Sequence, residues 1–189
     1  MENLDDRSGD RRLASNLCNL SYLSGGGVML GGNDETTEII MKQIIYAMQF
    51  KGSAAPKAGA SGVMEASTTS PSCTLSSIVD ATGLTGTLMP APGGKASFKS
   101  EVTLTGETSF TETGTIRFGD SNHSLRFSTV GQGFLGKSPD AALQHGSVMW
   151  RVESGEGQFA GASGLITSNF TLSATGEVID NHFGLIFVR

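Results

Sequence analysis

The chain predicts an all-β fold, a single antiparallel up-and-down barrel of about eight strands, preceded by a short N-terminal helical extension. Three observations carry that prediction. Charged residues are 16% of the 189 and glycines number 26, which is well under the usual quarter for charge and about twice the usual share for glycine. From Cys73 onward, apolar and polar residues alternate with a period of two, as strands with two distinct faces require. Clusters of Gly, Pro, Asn and Asp punctuate those runs at short intervals. The simplest division is an extension over residues 1–33 and one barrel domain over 34–189.

In the extension, Ser8 is a candidate helix cap, and Leu13, Leu17 and Leu20 share one helical face. Gly25, Gly26, Gly27, Gly31 and Gly32 follow as a tether. The segment is short for an isolated helix, so it reads either as a partly disordered tail or as a lid over residues 8–23 that swings onto the barrel. Residues 36–50 admit a helix capped by Asp34, but four isoleucines and two threonines favour a strand. As a strand they place Ile40, Ile44, Tyr46, Met48 and Phe50 on one face. Residues 51–72, rich in small residues and proline, read as a rim loop with a short strand around Val63–Ala66.

Strand candidates then follow at Leu75–Val79, Thr85–Met89, Ala96–Leu104, Thr108–Phe118 and Leu125–Phe134, with turns at 91–94 and 119–122. The last three strands carry the strongest signal. Val148, Trp150 and Val152 alternate with Met149, Arg151 and Glu153. Gly155, Gly157, Gly161 and Gly164 supply a turn, with Phe159 as the one large apolar residue to plug it. Leu165–Leu172 closes on Ala174-Thr175-Gly176, and Val178–Val188 ends the chain with apolar residues on both parities. A strand end covered on both sides suits a barrel whose outside meets another layer, or a homodimer. Closure removes exposed edges, and about eight strands leave room for one small ligand.

The run from Gly155 to Gly164, after a tryptophan-bearing strand and preceded by Ile116-Arg117-Phe118 and Leu125-Arg126-Phe127, resembles the strand-turn-strand signature of calycin-like barrels. Over residues 96–189 the pattern is similar to the allene oxide cyclase and dirigent proteins, and to the small bacterial barrels that include the spirotetronate and spirotetramate cyclases of polyketide biosynthesis. The resemblance implies a cofactor-free enzyme that closes a spiro ring by [4+2] cycloaddition inside the lumen, in some members under a mobile N-terminal segment. It brings no alignable catalytic residue to this chain.

Composition and motifs narrow the chemistry further. A net charge of −5 with no Lys/Arg-rich face argues against nucleic acid. No apolar run reaches membrane-spanning length, and the N-terminus lacks a secretory h-region. Cys18 and Cys73, far apart in sequence, suit a reducing cytoplasm. His123, His145 and His182 have no metal-ligand spacing, and neither a P-loop nor a GxSxG elbow is present. Gln132 and Asn169 are the candidate catalytic residues, since an amide can donate to a carbonyl oxygen without changing charge; a turn amide and a solvent-facing strand residue are their plainer readings. Tyr46 and Trp150, with Leu13 and Leu17 of the lid, are the candidate substrate-binding residues, and Trp150 also reads as ordinary core packing. Glu107, Glu112 and Glu153 read as solvated, and His145 as a surface residue. Two functions remain open: a cofactor-independent cyclase acting on a flexible apolar substrate, and a lipocalin-like carrier of an apolar small molecule.

Overall fold

The computed structural model describes residues 41–189, Ser121 excepted. Leu13, Leu17, the lid helix and its glycine tether lie outside the described residues. Within them the chain forms nine antiparallel strands: β1 (Lys42–Pro56), β2 (Val63–Asp80), β3 (Gly83–Leu104), β4 (Ser109–Phe118), β5 (Ser124–Thr129), β6 (Gly133–Lys137), β7 (Leu143–Glu156), β8 (Ser163–Ser173) and β9 (Glu177–Val188). They pair in the order β3-β2-β1-β9-β8-β7-β5-β4, and β4 pairs back onto β3, so the sheet closes on itself. β5 and β6 share one place in the ring. β5 bridges β4 and β7 as far as Thr129, and β6 then continues between Ser109–Phe110 of β4 and Gln144–Ser147 of β7. The barrel expected from the sequence is therefore present.

Strict alternation decides what is inside. Along β9, Val178, Asp180, His182, Gly184, Ile186 and Val188 are buried, while the residues between them are exposed. Phe183, Leu185 and Phe187 thus lie on the outer surface, where Ile45 and Leu165 flank Leu185 in register. The interior is filled by Phe50, Phe98, Phe127 and Trp150, stacked or tilted against one another, and by Phe110 edge-on to Phe170, with Ile116, Leu125 and Ile166 in the same core. Such side chains each bury a large apolar area, so they supply most of the driving force for closure.

Three sequence expectations are corrected. Residues 51–56 and 63–72 are not a rim loop but parts of β1 and β2, because their small residues alternate inward at Ala54, Ala66, Thr68 and Ser70. The turn expected at 91–94 is a stretch within β3. The reversal lies instead at Asp80–Gly83, where the Asp80 carboxylate accepts hydrogen bonds from the Thr82 backbone N–H at 2.7 Å and its hydroxyl at 2.6 Å. Finally, 125–134 divides into β5 and β6 rather than forming one strand. Past a register shift at Pro71/Cys73, residues 73–80 and 83–90 pair only with each other and form an exposed two-stranded arm.

One end of the barrel is closed by a one-turn 3-10 helix, Gly157–Phe159. Phe159 tucks beneath it and packs on Phe118 at a ring distance of 5.0 Å, the plug that the glycine-rich turn suggested. Gly155 is required for this: a Cβ there would strike the Phe159 carbonyl oxygen. Gly184 serves Tyr46 in the same way, because a Cβ would occupy the space of the tyrosine ring.

Candidate functional site

At the other end the wall residues shrink. Ala54 of β1 and Ala66 of β2 pair directly across their strands, and the volume they leave is not refilled. The result is a pocket of about 60 Å³ lined by fourteen residues, eleven of them apolar, among them Met64, Val102, Phe110, Leu135 and Phe170. That is several times the ~10–15 Å³ a single water needs. It takes a ring edge or a functional group, whereas the aromatic stack fills the rest of the lumen. Thr68, Glu112 and Asp180 are the polar members of the lining.

Glu112 is buried on β4 because Phe110, Ile116 and Phe118 share its parity. Its backbone is fixed by Thr129: the hydroxyl accepts from the Glu112 N–H at 2.7 Å and donates to the Glu112 carbonyl at 2.9 Å. This side-chain clamp lies one residue beyond the last β4–β5 pair, Thr113 with Ser128. The carboxyl accepts the Trp150 indole N–H at Oε2, at 3.1 Å. Burial pushes its pKa up to about 8, and the charge of Asp180 adds to that rise. The Trp150 hydrogen bond and the nearby Ser100 hydroxyl, whose geometry falls short of a full hydrogen bond, pull the other way. At neutral pH Glu112 is therefore a carboxylic acid, with a proton to offer.

Asp180 is held differently. Ser168 Oγ donates to its Oδ1 at 2.6 Å and His182 Nε2 lies 2.8 Å from its Oδ2, so each carboxyl oxygen has a partner. His182 is enclosed by Phe50, Phe98 and Trp150, with ring distances of 4.4, 5.3 and 5.0 Å, and its Nδ1 has no partner. The set is not a nucleophilic triad, because Ser168 gives its proton to the aspartate and not to the imidazole. Two carboxyl groups instead line one pocket: Glu112, whose pKa burial raises, and Asp180, whose two oxygens are engaged by Ser168 and His182.

The residues singled out from the sequence are distributed unevenly. Trp150 enters the lumen, yet its faces meet Phe98, Phe127 and His182, and it does not line the pocket; its contribution there is the hydrogen bond to Glu112. Tyr46 also points inward, but against Phe118 near the plugged end, where burial above all drives its hydroxyl pKa far upward. Gln132 and Asn169 lie away from the lumen. Both are exposed and line a shallow outer hollow together with Phe134, Met149 and Thr167, since Asn169 has outward parity on β8 and Gln132 sits in the bend before β6. Glu107 and Glu153 are exposed as expected, and so is His145, whereas Glu112 is not solvated. The signal that was available for Glu112, Asp180 and His182 is parity, since each alternates in phase with buried apolar residues of its own strand.

No family model matches the sequence, and none of the curated proteins matches it. Among solved structures, the chain is similar to a pterocarpan synthase dirigent protein, at 15% identity and a TM-score of 0.51, with 88% of this chain and 96% of that one covered. At that identity the likeness is one of fold, and it agrees with the dirigent-type barrel expected from the sequence. Among the described residues no helix is long and apolar enough to cross a membrane.

Proposed function

We propose that the barrel is a cofactor-independent cyclase, in which the Glu112 carboxylic acid hydrogen-bonds to a carbonyl oxygen of a substrate whose head occupies the apolar pocket. The observation that carries this reading is the buried acid itself: a proton donor held by Trp150 and Thr129, raised to about 8, at the wall of an otherwise apolar cavity. Donating a hydrogen bond to the carbonyl withdraws electron density from the conjugated system and lowers the barrier to ring closure, and no proton is consumed. Holding the reacting ends together contributes the remainder. A [4+2] closure of a polyketide-type chain suits such a site, because a pericyclic step needs neither nucleophile nor proton shuttle. The fold is shared with a dirigent protein described as a pterocarpan synthase, which supports a synthase-type reading of this barrel.

The test uses a linear triene bearing an α,β-unsaturated ketone, with ring closure followed by chiral chromatography. The wild type is expected to give an enantiomeric excess and a rate that falls as pH rises through about 8. Glu112→Gln, whose amide keeps an acceptor for the Trp150 N–H and a donor for the carbonyl, is expected to remove the fall in rate above about pH 8, and Glu112→Leu, which keeps neither, to lower the rate roughly ten- to a thousandfold. Racemic product at the uncatalysed rate, with the triene still bound, would overturn the cyclase and leave a carrier.

A further inference from the structure

One residue of the pocket wall has hydrogen-bonding capacity that the protein itself does not use. Thr68, 3% exposed, lines the pocket, and its Oγ1 has no hydrogen-bond partner. A buried hydroxyl without a partner destabilises the free protein, and valine, with nearly the same shape, would remove that cost. The other two polar lining groups restrict what can answer it. Glu112 and Asp180 are both carboxyl groups and the lining holds no Lys, Arg or His, so an anion would be buried there without a counter-charge. A cation would find no unengaged carboxylate oxygen on Asp180 to replace its hydration shell.

We infer that the pocket selects an uncharged apolar molecule carrying an oxygen of the ketone, aldehyde or phenol class, and that the Thr68 hydroxyl is the specificity-determining contact for that oxygen. This rests on the same pocket being the ligand site, and it adds the class of ligand and the residue that reads it. Thr68 lies on β2, outside the Glu112–Trp150–Thr129 set, so its effect is on which ligand binds.

The full-length protein is titrated with acetophenone, its near-isostere α-methylstyrene, which lacks the oxygen, and benzoate, which adds a charge. Melting curves are recorded with and without each. Acetophenone is expected to bind the wild type about tenfold more tightly than either of the others. Thr68→Val is expected to raise the melting temperature of the free protein and to cut the preference for acetophenone over α-methylstyrene severalfold, the remainder coming from Glu112, while Thr68→Ser retains it in full. A lower melting temperature for Thr68→Val, or a preference undiminished in it, overturns the role of Thr68 even though the pocket binds. Failure of the wild type to bind any of the three overturns the pocket as a ligand site, and the proposed function with it.

Discussion

The two ends of the barrel are built by the same inward alternation, but with side chains of different size. At one end Phe118 packs against both Tyr46 and Phe159, with Ile186 and Val188 in the same core cluster and the glycines at 155 and 184 admitting the rings. At the other, Ala54, Ala66 and Thr68 occupy equivalent inward positions and leave a cavity into which two carboxyl groups face. A period of two specifies a closed barrel at both ends, whereas residue volume specifies which end is core and which is site. The solid end is expected to govern stability, and the open end to govern proton and ligand chemistry.

The sharpest way to break this division is to remove the plug. Phe159→Ala deletes a buried ring in contact with Phe118, at an expected cost of about 3–5 kcal/mol, read from the midpoint of chemical denaturation. The pocket lies at the opposite end, so acetophenone affinity of the folded fraction is expected to change less than twofold. An equal loss of affinity would show that the two ends are one coupled unit.

A second prediction concerns the open end and acts through pH. The folded-state pKa of Glu112, about 8, lies above the 4.5 of an unperturbed glutamate, so between those values the folded protein binds a proton that the unfolded chain has lost. Its contribution to stability is fully present below pH 4.5 and is lost as pH rises through 8. The slope is up to about 1.4 kcal/mol per pH unit, so roughly 2 kcal/mol is expected to disappear between about pH 6 and 7.5. Glu112→Gln has no proton to lose and is expected to flatten that slope. A slope of the same size in the variant would assign it to another group.

The sequence carried the closed end more plainly than the open one. Glycines spaced around a lone Phe159, after a strand with Trp150 in its middle, permit few arrangements, and the plug was legible from them. The pocket was not, because it is made by what is missing: the alanines at 54 and 66 sit in a low-complexity stretch whose composition resembles a loop, and only their pairing across β1 and β2 turns them into a cavity. Glu112 was hidden by its charge, since carboxylates seldom lie buried without a partner. Its partner, Trp150, is 38 residues away, a separation that no local pattern reveals. Gln132 and Asn169 are the converse case, chosen for their chemistry without regard to parity, which puts them on the outer face.

The smallest expected effect is on that outer pair. Gln132→Ala and Asn169→Ala remove exposed amides from a hollow on the outside of the wall, and neither side chain makes a hydrogen bond within the described residues. Substitutions of this kind change stability by less than about 0.5 kcal/mol. Because the lumen lies on the other side of the sheet, acetophenone affinity and triene turnover are expected to match the wild type. Turnover lowered tenfold or more in either variant, with the melting temperature and acetophenone affinity unchanged, would mean that the chemistry takes place on the outer face. The buried acid would then be a structural feature of the core, and the contrast between the two ends would describe packing alone.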